Sequence, residues 1–177
     1  MTVRDPRQLA LQILNELEKR QATLDQLIGQ RFEKTAPEME RRDRALAFAI
    51  IYGVLRWRAK LDWHIGQMAS RPVDKIRPDI LNVLRIGLFQ ILFLSRIPDS
   101  AAVNTSVEIA KTRSSVKTAG FVNALLRNAV RQKQSFADPD LSKNQLQAIT
   151  ITGSCQPWLA RRWHKRFGAE ETRLLFN

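Results

Sequence analysis

One cysteine in 177 residues leaves no partner for an internal disulfide and no set of thiolates for a zinc site. Two histidines add too little to build a metal centre with it. The seven glycines stand singly, at 29, 53, 66, 87, 120, 153 and 168, so neither a dinucleotide fingerprint nor a phosphate-cradling P-loop can be assembled. Acidic residues are scarce as well. Seventeen Asp and Glu face 29 Lys and Arg, a net charge of +12 that favours nucleic acid or another anionic surface as partner over small acidic substrates. The longest apolar run, Ile80 to Leu94, is too short to cross a bilayer and carries Asn82, Arg85 and Gln90. Met1 leads straight into charged residues without an apolar signal segment, so a cytoplasmic, membrane-free protein is expected.

What is present is helix period. Hydrophobic residues make up 44% of the chain, enough for a true core. Asp5 before Pro6 reads as an N-cap followed by proline at the first helical position, and Leu9, Ile13 and Leu17 then mark one face. A short second helix carries Leu24, Leu27 and Ile28; a third, opened by Pro37, repeats Leu46, Ile50, Val54 and Trp57; a fourth runs from Arg58 to Ala69. Arg71-Pro72 and Arg77-Pro78 punctuate the chain before the apolar segment, which is too long for a strand and lacks period-two alternation. It is expected to be a buried central helix. Two more follow, from Ser100 to Thr112 and from Val116 to Lys133, giving an all-α bundle of about seven helices. Residues 134–142 look like a linker between a domain at 1–135 and an appended region at 136–177. In that region Pro157 to Phe167 forms a basic amphipathic helix closed by Gly168, and Glu170 to Phe176 begins another. The pattern is still apolar at Asn177, as expected of a chain that continues.

Few residues propose chemistry. Cys155 precedes a predicted helix whose dipole could lower a thiol pKa, but a loop or capping role is the stronger reading. His64 reads as a packed or surface residue. Glu38, Glu40, Asp43 and Asp62 sit beside arginines and suit ordinary surface ion pairs. Trp57 could stack on a base, yet it shares a stripe with Leu46, Ile50 and Val54 and fits the core better. Asn104 and Asn123 interrupt apolar repeats and are expected to play structural parts. Residues 34–60 and 99–135 each net +4, whereas residues 1–33 net zero, so positive charge is concentrated in two segments.

Five motifs in order resemble the NusB-like RNA-binding domain: Pro6 to Leu11, the run RRDRALAFAIIYGVLRWRAKLDW from Arg41, NVLRIGLFQILFL from Asn82, AAVNTSVEIAK from Ala101 and GFVNALLR from Gly120. They span about residues 5–133. The forms YGVLRWR and GFVNALLR, with PWLARRWHKRFGAEE from Pro157, are most similar to the N-terminal region of the RsmB (Sun/Fmu) family of bacterial 16S ribosomal RNA cytosine-5 methyltransferases.

The resemblance implies two packed three-helix groups with an added helix. It also implies S-adenosylmethionine chemistry in the parent enzyme, carried by a methyltransferase domain lying beyond Asn177, with no cofactor, metal or catalytic residue in this chain. Cys155, in Ser-Cys-Gln, matches neither the Thr-Cys nor the Pro-Cys motif of that domain. The implied partners are 16S ribosomal RNA and the downstream domain. Family RNA contacts carry over only to Arg7, with Arg4 beside it, while Arg41, Arg42, Arg44, Lys117, Arg127 and Arg131 are candidates on charge alone. The alternatives are a free-standing NusB-type transcription antitermination factor, binding RNA and a ribosomal protein, and a plain protein-interaction module.

Overall fold

The structure is a computed structural model that describes residues 5–19, 21–35 and 39–176. Among the described residues there are nine α-helices and no strand: α1 Pro6–Leu17, α2 Leu24–Thr35, α3 Arg41–Arg56, α4 Arg58–Met68, α5 Pro78–Phe93, α6 Asp99–Arg113, α7 Val116–Gln132, α8 Gln145–Thr152 and α9 Pro157–Phe176. A single 3-10 turn, Val73–Lys75, separates α4 from α5. The all-α expectation and the seven-helix bundle are both borne out.

Helix starts follow local chemistry. The Asp5 carboxylate accepts from the Arg7 N–H at 2.8 Å ahead of Pro6, and Ser115 Oγ accepts from the Thr118 N–H at 3.3 Å ahead of α7. Pro37 lies outside the described residues, and the third helix begins at Arg41, after the expected start.

α5 is the axis of the bundle. Every residue from Ile80 to Ile91 is buried, with α1, α3, α4, α6 and α7 packed around it. Two close approaches need glycine: a Cβ on Gly53 would lie 1.9 Å from the Phe89 ring, and one on Gly87 would lie 2.6 Å from Leu126 Cδ1. The polar residues of α5 are fully employed. Arg85, 5% exposed, donates to both oxygens of Asp62 at 2.7 Å, to Glu18 at 3.1 Å and to Asn82 at 2.8 Å. Asn82 in turn donates to Asn15 at 2.9 Å, so α1, α4 and α5 are joined by one charged knot. Asp62 is therefore no surface ion-pair residue, because the bundle folds its helix over a buried guanidinium.

The pattern assigns no element to residues 145–152, yet α8 forms there, capped by the Asn144 side chain, which accepts from the Gln147 N–H at 3.0 Å. Four consecutive β-branched residues, Ile149 to Thr152, give little helix propensity. Burial of Ala148 and Ile149, and packing against α4 and α9, offset it. Gly168, at φ 78°, breaks α9 into the two helices anticipated there. Arg56 and Ala59 tie this region to the bundle, donating to Gly153 O at 2.6 Å and Ser154 Oγ at 2.9 Å.

Candidate nucleic-acid interface

The two proline punctuations shape a strongly basic concavity, lined by Arg71, Lys75, Arg77 and Lys117. Arg71 precedes Pro72 and Arg77 precedes Pro78, so both arginines leave the helices and flank the 3-10 turn. Across from them lies the first turn of α7, with Lys117, Thr118 and Phe121. The result is an open cleft of about 450 Å³ floored by Ile76, Ile80 and Phe121. Arg71 lies over the Phe121 ring at 4.7 Å from its centre, a cation–π contact at the cleft wall. Arg77 is engaged with Asp79 at 2.7 Å and donates to Ser114 at 3.3 Å. Arg71, Lys75 and Lys117 form no ion pair among the described residues, and the exposed N-terminus of α7 adds its dipole to theirs. Three unneutralised cations around a partly apolar floor suit the phosphodiester backbone of a nucleic acid.

The cleft opens onto a continuous surface. Lys117, Gly120, Ala124, Arg127 and Arg131 recur at three and four along α7, all exposed, so they share its solvent face over about 21 Å at 1.5 Å rise per residue. A Cβ at Gly120 would meet nothing within 4 Å, and with Ala124 it leaves the middle of the face low, with cations at both ends.

The candidate residues separate into three places. Lys117, Arg127 and Arg131 come together on α7. Arg41, Arg42 and Arg44 occupy the first turn of α3, where Arg42 shares a groove with Arg96 and Phe93. Arg7 is 15% exposed, and its Nε donates to the buried Gln90 side chain at 2.7 Å. Arg4 lies outside the described residues. Arg7→Ala is expected to cost about 1–3 kcal/mol, through the unsatisfied Gln90 oxygen, and to leave the salt dependence of RNA binding unchanged. A smaller salt slope with full thermal stability would return Arg7 to the RNA contacts. Sequence pattern overlooked Arg71, Lys75 and Phe121; the only signal was a pre-proline arginine six residues before another.

The asparagines differ from expectation too. Asn104 is exposed, and Asn123 is half-buried, accepting from Arg127 Nε at 2.9 Å, because both fall on the solvent side of their helices. Trp57 stacks on Phe93 with ring centres 5.1 Å apart and packs against the core.

Neither Cys155 nor His64 lines this cleft. Burial pushes the half-buried Cys155 thiol up, opposite to the helix-dipole expectation, since desolvation outweighs its own backbone N–H and the distant Arg56 charge. His64 is buried against Phe136, ring centres 4.5 Å apart. Its pKa is lowered by that burial and by Lys60, with Asp138 opposing. Among the described residues no three His, Cys, Asp or Glu side chains gather as metal ligands.

The class that these observations define is an all-helical bundle carrying a cationic cleft lined by Phe121. The chain is a member of the NusB family, whose model matches residues 4–131. Its fold is similar to that of a Thermotoga maritima NusB structure, with a TM-score of 0.64 at 21% identity, covering 77% of this chain and all of that one. In sequence it is 30% identical over 164 residues to the probable ribosomal RNA small subunit methyltransferase B of Bacillus subtilis, covering 93% of this chain and 36% of that protein. It is 32% identical over 173 residues to the Synechocystis protein of the same description, covering 96% of this chain and 37% of that one. The chain thus spans about a third of the length of these curated relatives.

Proposed function

We propose that this chain is the RNA-recognition domain of a 16S ribosomal RNA cytosine-5 methyltransferase, contacting its substrate through the Arg71–Phe121 cleft and the solvent face of α7. The observation that carries this reading over a free-standing antitermination factor is the reach of the similarity. The Thermotoga NusB is wholly covered by 77% of this chain, whereas the alignment with the Bacillus methyltransferase takes in 93% of it. Residues 132–177 are about a quarter of the chain, so that alignment must enter the appended α8 and α9. Residues 1–135 then form the recognition domain and residues 136–177 begin the next region.

The chemistry belongs to the remaining two-thirds of such an enzyme. The isolated glycines offer no loop for the adenosyl cofactor, and Cys155 is a half-buried thiol with a raised pKa, so no methyl-transfer step is assigned to these residues. S-adenosylmethionine would be held downstream, and the setting would be the cytoplasm, where ribosomal RNA is modified. No helix among the described residues is long and apolar enough to cross a membrane.

The test is a titration with 16S RNA fragments across a range of salt. Each neutralised phosphate contributes about −0.7 to the log–log slope for single-stranded RNA, so four or five contacts along α7 and the cleft give a slope of about −3. With labelled S-adenosylmethionine, the chain alone should transfer nothing and a longer polypeptide of the same reading frame should transfer label. RNA binding confined to an antitermination sequence, with no preference for 16S fragments, would favour the free-standing factor instead.

A further inference from the structure

Between α6 and α7, at the far end of the same solvent face, lies a second groove of about 420 Å³ formed by Ser100, Val103, Asn104, Arg127, Val130 and Arg131. Its apolar surface comes from half-buried Val130, with Val103 only 4% exposed at the floor, and its two guanidinium groups are held by hydrogen bonds. Arg127 Nε donates to Asn123 at 2.9 Å and an Arg131 N–H donates to Asn128 at 3.3 Å. Each guanidinium is thereby oriented by a neutral amide on its own helix, and neither meets a carboxylate among the described residues. Asp99, next to Ser100 at the groove's end, is neutralised by Lys133 at 3.0 Å. Asn104 is exposed, one helical turn on from Ser100, and its amide makes no hydrogen bond among the described residues.

A phosphate needs only the arginines. An exposed amide with one acceptor and two donors left free in a groove with an apolar side chain fits something else: the hydrogen-bonding edge of a flat heterocycle. We infer that the α6–α7 groove is a base-reading subsite, in which one unstacked nucleobase of a single-stranded RNA lies over Val130, with Asn104 contacting its edge and Arg127 and Arg131 on the flanking phosphates. This rests on the RNA-binding reading above and adds base selectivity to it. The subsite lies on the same helix as the Arg71–Phe121 cleft, with Phe121 nine residues, or about 14 Å of helix, before Val130. One strand running along α7 can engage both. An acidic peptide would use the arginines equally well but would leave the free amide without a purpose.

The experiment measures affinity for short homopolymers of uridine, cytidine and adenosine at fixed salt, for the wild-type chain and for Asn104→Ala, with melting temperature as the control for folding. The wild-type chain is expected to prefer one base by about five- to tenfold, the range one or two hydrogen bonds supply. Asn104→Ala should bring the three within about twofold while the salt slope and melting temperature stay unchanged. Arg127→Ala should instead reduce the slope by about 0.7 and keep the preference. An Asn104→Ala chain that retains the wild-type preference, or a wild type with none, overturns the subsite. Displacement of RNA by poly-glutamate from a wild type without base preference would reassign the groove to an acidic protein partner. If the wild-type chain binds no RNA at any salt, it is the underlying RNA reading that fails.

Discussion

Arg85→Ala is expected to destabilise the fold by about 3–5 kcal/mol, the range found when one partner is removed from a buried ion pair. The guanidinium is the only cation facing Asp62 in the ion pairs of the described residues, and it shares Glu18 with Arg58. Its loss strands the buried Asn82 amide and leaves the half-buried Asp62 carboxylate without its cation. Urea denaturation measures the loss, and a double change separates its cause. If the stranded charge dominates, adding Asp62→Leu to an Arg85→Met chain should recover part of the stability that Arg85→Met alone removes. A double variant less stable than the single one would place the cost in lost packing.

The largest effect on binding is expected from the triple change of Arg71, Lys75 and Lys117 to alanine. If all three touch phosphate, the log–log salt slope falls in magnitude by about 2, and affinity at 0.1 M salt falls by about 10²-fold. These residues are exposed, and only the Arg71 stack on Phe121 touches neighbouring packing, so the melting temperature should move little. The matched control is Arg41, Arg42 and Arg44 to alanine on α3. Equal losses from both triples would mean that charge alone, rather than the cleft, attracts the RNA, whereas a loss confined to the first locates the interface.

Much of this molecule was legible before its structure. Asp5-Pro6 announced a helix start and the structure has the cap bond there; Gly168 announced a stop, and it sits at φ 78°. The apolar stretch from Ile80 is the buried axis that its composition implies, since a helix apolar nearly all round is buried. α8 was not legible, because its stability comes from α4 and α9 rather than from its own β-branched sequence.

The site divides along the same line. Periodicity, capping and the excess of cations are properties of neighbouring residues, so the sequence by itself determined an all-helical, basic domain and carried the motifs of its family. Which cations remain free for a ligand is a property of distant ones. Arg7 and Arg85 are committed to Gln90 and Asp62, partners 83 and 23 residues away, while Arg71 meets Phe121 across the cleft. Asn104 looked like an interruption of a core repeat until the α6–α7 packing turned it outward. Only the tertiary structure could decide these assignments, because pairing removes a charge from the surface and pairing depends on distances that the chain sets only when its helices meet.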